Sequence, residues 1–240
     1  MDKDNKEMGL GDFLSLDDRL YPLLGESERK GEHLKLIFAL THTSASNQKG
    51  HEDIRPIQQY RGFLFLKDHL DDSFDVDFIL SLYGAMVGEE KGEWKCRNTY
   101  FERNDGTFYV TTSSEKTPEV MENLCERFSF LNSPKEDEFE EIFKFVLHFI
   151  CIHPFLDGNG RTSAFLLQFL LYKAGLRCAI YLPIDALMGG LYVERTHREI
   201  RRASGSFYGM KELDFSSYIP YMKDLLHKSY LYLLDALKLE

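Results

Sequence analysis

Apolar positions recur every three or four residues along most of this 240-residue chain, so the expected fold is mainly α. Residues 1 to about 31 are charged and punctuated by glycine, which predicts a frayed start and then a short helix around Phe13 to Leu16. Leu34, Ile37, Phe38 and Leu40 make one apolar stripe from Glu32 to about Ala45, and Gly50 closes the polar segment behind it. Two further stripes predict helices from Ile54 to Asp68 and from Asp75 to Val87. Thr117-Pro118-Glu119 reads as a helix start, with an N-cap, a proline at the first position and an acid in the first turn. Ser133-Pro134 followed by Glu136, Asp137 and Glu138 repeats that signal. The helix it opens runs to Ile152, and another runs from Thr162 to Ala174, ended by Gly175. Ala164 to Tyr172 is apolar on almost every face, which places that helix in the middle of the fold. Pro183 to about Ser204 and Ser217 to Leu239 complete the helices.

One stretch breaks the helical period. From Cys96 to Thr112, β-forming residues flank Arg103-Asn104-Asp105-Gly106, a hairpin turn signal. A lone hairpin is marginal in water, so it must pack on the helices. The expected architecture is a helical bundle with a small β-hairpin. It divides into an N-terminal helical extension at residues 1–60 and a core with C-terminal helices at 61–240.

Charge narrows the partners. A net charge of −10 argues against general affinity for nucleic acid or an anionic membrane. Cys96, Cys125, Cys151 and Cys178 are far apart and form no CxxC pair, so reduced thiols in a cytoplasmic protein are expected. The first residues carry no basic-then-apolar leader, and no apolar run reaches the length of a membrane span. Oligomeric state stays open, a homo-oligomer included.

Between the two most apolar helices lies His153-Pro-Phe-Leu-Asp157-Gly-Asn159-Gly-Arg161. Gly158 and Gly160 let a ligand approach the backbone, and the N–H groups from Asn159 to Thr162 are the unpaired donors of a helix N-terminus. Arg161 can add a forked charge to a phosphate oxygen. Asp157 beside a phosphate suits Mg²⁺, which favours one or two carboxylates plus phosphate oxygens. His153, with an ordinary pKa near 6.5, suits proton abstraction from a hydroxyl. His148, five residues earlier, reads as a core residue rather than a metal ligand. Arg195, Arg198, Arg201 and Arg202 read as a solvated helix end, and Trp94 as packing at the hairpin base.

The string from His153 to Arg161 resembles, without a gap, the Fic family signature His-Pro-Phe-x-Asp/Glu-Gly-Asn-Gly-Arg-x-x-Arg. Gly92-Glu93-Trp94-Lys95 is similar to the family's Gly-x-aromatic-basic lead into its hairpin, and the resemblance spans about residues 30 to 225. It implies a Fic-type bundle that transfers a nucleotide monophosphate, usually AMP from ATP, to a Ser, Thr or Tyr hydroxyl of a protein. His153 would be the base and Asp157 the Mg²⁺ ligand. Asn159 and the backbone of Gly158 and Gly160 would hold the α-phosphate, and Arg161 the β-phosphate. The hairpin at residues 96–112 would be the flap that docks the target. Phe155 would anchor the loop in the core.

The second arginine of the signature is replaced by Ala164, and Asn47 stands where an inhibitory glutamate would be. Burying one charge without its partner costs about 3–5 kcal/mol, so losing either end favours losing the other. Beside AMP transfer, two alternatives stand: a transferase using another phosphate-containing donor, or a degenerate nucleotide-binding protein that acts by interaction.

Overall fold

The computed structural model describes residues 8–29, 55–102, 108–184, 195, 198–200, 202 and 213–238. The expected helix at 32–45, Asn47, the hairpin turn at 103–106 and most of the expected helix at 183–204 lie outside the described residues.

The aromatic-rich run from Phe139 to Ile152 forms α5, and Asn159–Lys173 forms α6. Every residue of α6 from Thr162 to Leu171 is buried. That burial follows from its neighbours: α2 (Arg55–Asp68), α3 (Val76–Val87) and α5 all pack against it. Phe74, Phe78, Phe145 and Phe169 knit these helices together. Phe74 meets Phe145 edge-on at 4.9 Å, and Phe78 lies 4.1 Å from Phe169. Such ring pairs add about 0.5–1.5 kcal/mol each beyond their area burial.

Helix α3 begins at the N-cap Asp75, whose carboxylate accepts from the Phe78 N–H, and ends at Gly88 in the left-handed region. Helix α4 (Thr117–Arg127) packs on α5. Its Thr117 is the first helical residue and not the cap. A 3₁₀ turn at Ser114–Lys116 leads in, and the Thr117 hydroxyl donates back to the Ser113 carbonyl. Before α5, a 3₁₀ turn at Glu136–Glu138 is closed by the Lys135 N–H donating to Glu138.

The N-terminal helix is longer than its sequence suggests. Helix α1 spans Leu10–Arg29, 20 residues in place of the short helix expected. Leu10, Phe13, Leu16, Leu20 and Leu24 are buried, and so is the charged Asp17. One Asp17 oxygen accepts from the Cys178 N–H (2.7 Å) and the Tyr230 hydroxyl (3.0 Å). The other accepts from the Arg177 N–H (3.1 Å). These bonds tie α1 to the turn after α6 and to α7 (Tyr218–Lys238), on which α1 packs. Pro22 removes one helical hydrogen bond, and buried Leu20 and Leu24 hold the helix together across it.

Two short strands, β1 (Tyr100–Glu102) and β2 (Phe108–Val110), pair antiparallel with Tyr100 opposite Val110. Both members of that pair are exposed. Among the described residues no helix is long and apolar enough to cross a membrane.

Candidate active site

Helix α5 ends at His153, which takes a left-handed conformation (φ 54°, ψ 63°). It is the sole non-glycine residue with positive φ among the described residues. Pro154 disfavours the right-handed helical region at His153, so the helix must stop there. The left-handed region costs a non-glycine residue about 1–2 kcal/mol, which surrounding contacts must offset.

Those contacts come from both sides of the loop. Phe155 is fully buried, stacked on Tyr83 of α3 at 3.7 Å and 6° and on Trp94 at 5.3 Å. The Asn159 side chain closes the turn: its oxygen accepts from the Phe155 N–H (2.9 Å) and its amide donates to the Phe155 carbonyl (2.8 Å). Asn159 is buried, and this pair of bonds engages both ends of its amide. The side chain is thus committed to the backbone of its own loop. Gly158 is the N-cap of α6 at φ 80°, a conformation that a side chain would strain. A methyl group added there would meet the Tyr83 ring at 3.3 Å, whereas one on Gly160 would meet nothing within 4 Å.

Arg161 and Asp157 form an ion pair, with Nη2 donating to Oδ2 at 3.0 Å. The Asp157 side chain is 79% exposed and that of Arg161 only 12%. The second terminal nitrogen of Arg161, Nη1, is buried without a partner. An orphaned cationic donor at a helix N-terminus is the arrangement that a phosphate oxygen completes. An exposed carboxylate four residues earlier in the loop likewise fits a divalent cation bound together with that phosphate.

Lys95 lies beneath the loop, 3% exposed. Its ammonium donates to the Thr111 hydroxyl (2.8 Å) and the Ile152 carbonyl (3.1 Å). Burial lowers its pKa to about 8. The His153 imidazole is lowered to about 4, first by burial and then by the Lys95 cation. A hydrogen bond to the Ile150 backbone and the Asp157 charge pull the other way. The ring is thus neutral at physiological pH and able to accept a proton. Burial, and next the Asp157 carboxylate, raise the Tyr83 phenol above its ordinary value.

The structure brings His153, Asp157, Gly158, Asn159, Gly160 and Arg161 onto one loop and helix start. Three contributors escaped the sequence reading. Tyr83 arrives from a helix 70 residues upstream with no local signal. Thr99 and Thr111, whose hydroxyls lie 2.7 Å apart, seat the Lys95 ammonium. Two threonines placed symmetrically about the turn, with a lysine ahead of them, were the available clue. Ala164 is 2% exposed and belongs to the core. His148 lies between the rings of Phe128 and Phe215, and burial lowers it to about 4. Arg195 pairs with Asp224, and Arg198 and Arg202 with Glu199.

Residues 73–171 match the model of the Fic/DOC family. The protein adenylyltransferases fic-1 of Caenorhabditis elegans and Caenorhabditis briggsae are 29% and 30% identical over 129 and 130 residues, 51% of this chain in each case. The matched stretch covers 23% of those relatives' length. A Fic domain containing signaling protein from Bacteroides thetaiotaomicron superposes with a TM-score of 0.68 at 20% identity, over 96% of this chain and 97% of that one. Residues 134–508 of C. elegans Fic-1 superpose with a TM-score of 0.64 at 16% identity, over 95% of this chain and 72% of that one. The last two likenesses bear on the fold alone.

Proposed function

We propose, from the match of residues 73–171 to the model of the Fic/DOC family, that the chain transfers a nucleotide monophosphate, AMP from ATP in the first instance, to a Ser, Thr or Tyr hydroxyl of a target protein. The observation that carries this reading is a neutral, half-buried imidazole on the same loop as a helix N-terminus with an orphaned arginine nitrogen. A pure binding loop has no use for the base.

In this reading His153 accepts the proton of the target hydroxyl as its oxygen attacks the α-phosphorus. The bond to the oxygen bridging the α- and β-phosphates breaks, and pyrophosphate leaves. A base with so low a pKa takes the proton only as the new P–O bond forms. The N–H groups of Asn159, Gly160 and Arg161 meet the charge on the α-phosphate. Arg161 exchanges Asp157 for the β-phosphate. Mg²⁺ held by Asp157 would supply neutralisation of the polyphosphate charge. The target docks along the β1–β2 hairpin, whose exposed Tyr100 and Val110 offer it an apolar surface.

Ala164 supports a second reading, a donor other than ATP. The family's outer phosphate clamp is replaced by a buried methyl, so a triphosphate loses one grip that a diphosphate-linked donor does not need. Incubation with labelled ATP, UTP, GTP, CTP or CDP-choline and Mg²⁺ separates the two. Label should appear on the protein itself or on a lysate protein and vanish in His153→Ala. Equal labelling by wild type and variant would remove His153 from the mechanism, and nucleotide binding with no transfer from any donor would leave a binding protein.

A further inference from the structure

We infer that Lys95 is the positioning residue of the catalytic base, and that it links the seating of the hairpin strands to the placement of His153. The inference rests on the reading of His153 as the base and goes beyond it.

One residue grips the chain on both sides of His153. The Lys95 N–H donates to the Pro154 carbonyl at 2.8 Å, while its ammonium donates to the Ile152 carbonyl at 3.1 Å. The residue between those two carbonyls is the one held in the left-handed region. A strained backbone persists only when its surroundings over-determine it, and Lys95 supplies two of the required bonds. The Ile152 carbonyl also belongs to the last turn of α5, where the helix dipole favours a cation.

The other half of the ammonium's coordination is the hairpin. Thr111 lies at 2.8 Å and Thr99 at 3.5 Å, one residue beyond each strand, and the Thr111 N–H extends the ladder to the Thr99 carbonyl at 3.2 Å. The ammonium therefore shares its three protons between the base of the hairpin and the end of the catalytic helix. No carboxylate among the described residues pairs with it. Packing alone does not account for this choice, since a methionine would fill the volume without burying a charge.

The segment carrying Lys95 is itself fixed by backbone contact. The Gly92 N–H donates to the Leu80 carbonyl at 2.9 Å. A methyl group on Gly84 would come within 2.6 Å of the Gly92 nitrogen, and one on Gly92 within 2.6 Å of the Tyr83 ring. Helix α3 thus sets the height of Lys95 under the loop, and Trp94 stacks on Phe155 from the same segment.

The test compares Lys95→Met, Lys95→Arg and Thr111→Val in the full chain. Lys95→Met should lower kcat by about 10- to 100-fold, the penalty of a slightly misplaced reacting group, with KM for the nucleotide nearly unchanged. Lys95→Arg should recover much of the loss, and Thr111→Val should give a smaller kcat defect because the Ile152 contact survives. The His153 ring signals in the nucleotide-free protein, read by NMR at pH 7.5, should move in Lys95→Met and stay close to wild type in Lys95→Arg. If Lys95→Met leaves both kcat and those signals in place, the inference is overturned. Should Lys95→Met fail to fold, Lys95→Arg and Thr111→Val decide it by the same two readouts. If no donor is transferred by any form while the ring signals move as described, the transferase reading falls and the positioning by Lys95 stands.

Discussion

Gly160→Ala should raise stability and lower nucleotide affinity at the same time. Gly160 is the second residue of α6, is exposed, does not have positive φ, and has nothing within 4 Å of where a methyl would sit. A glycine-to-alanine change at a compatible site gains about 0.4–1 kcal/mol, chiefly by restricting the unfolded chain. For a protein of this size that is a rise in Tm of roughly 1–4 °C. The empty space beside Gly160 is also where an anion would reach the N–H groups of the first turn. A methyl there holds the phosphate off, and losing one hydrogen bond to a charged group costs about 1.5–3 kcal/mol. That corresponds to a roughly 10- to 150-fold weaker Kd. Differential scanning fluorimetry and calorimetry with ATP and Mg²⁺ read the two effects separately. A higher Tm with Kd unchanged within about twofold would refute the cradle over Gly160. A lower Tm would refute the open-space geometry.

Other outcomes follow from neighbouring features. Asp17→Ala should destabilise by at least about 3 kcal/mol, because two N–H groups and the Tyr230 hydroxyl lose their shared acceptor in the interior; urea unfolding measures it. Asn159→Ala should impair transfer as severely as loss of a phosphate ligand, since the Phe155 N–H and carbonyl lose the amide that closes the turn; proteolysis of the loop should quicken in parallel. His148 and His153 are both lowered to about 4, in each case first by burial and next by a cation, Arg127 or Lys95. Their folded values lie below the unfolded 6.5, so the unfolded chain binds more protons between those limits. Stability is therefore full above about pH 6.5 and falls as the pH drops toward 4, by up to about 3 kcal/mol per histidine. A flat stability profile across that window would contradict their burial as neutral rings.

Sequence pattern reached the parts of the molecule that are local. Helices α3, α5 and α6 and the left-handed Gly175 all leave a periodic or punctuating trace, and the loop from His153 to Arg161 leaves a composition found nowhere else in the chain. Helix α1 was legible only in part. Gly11, Asp17, Asp18 and Pro22 dilute its apolar stripe, and nothing local reveals that Asp17 finds its donors about 160 and 213 residues away. The Fic resemblance implies phosphate contact for Asn159, while its side-chain partners are two backbone atoms of Phe155 that sequence cannot display. Tyr83 is hidden for the same reason, and so is the grip of Lys95 on the loop, although Lys95 itself stands in the Gly92–Lys95 string. Their roles exist only once α3 and the hairpin have folded back over the loop.

The burial of α6 on all sides has a dynamic consequence. Amides opening by local fluctuation exchange with solvent in order of how much structure must be undone to free them. For α6 that is nearly the whole bundle, because α2, α3 and α5 must all separate from it. Deuterium uptake from Phe165 to Leu171 should therefore report global unfolding, and uptake at β1 and β2 a far smaller opening. The first turn of α6 is continuous with that segment, so under the proposed function a partly opened molecule would give up its surface for a target before its grip on a nucleotide.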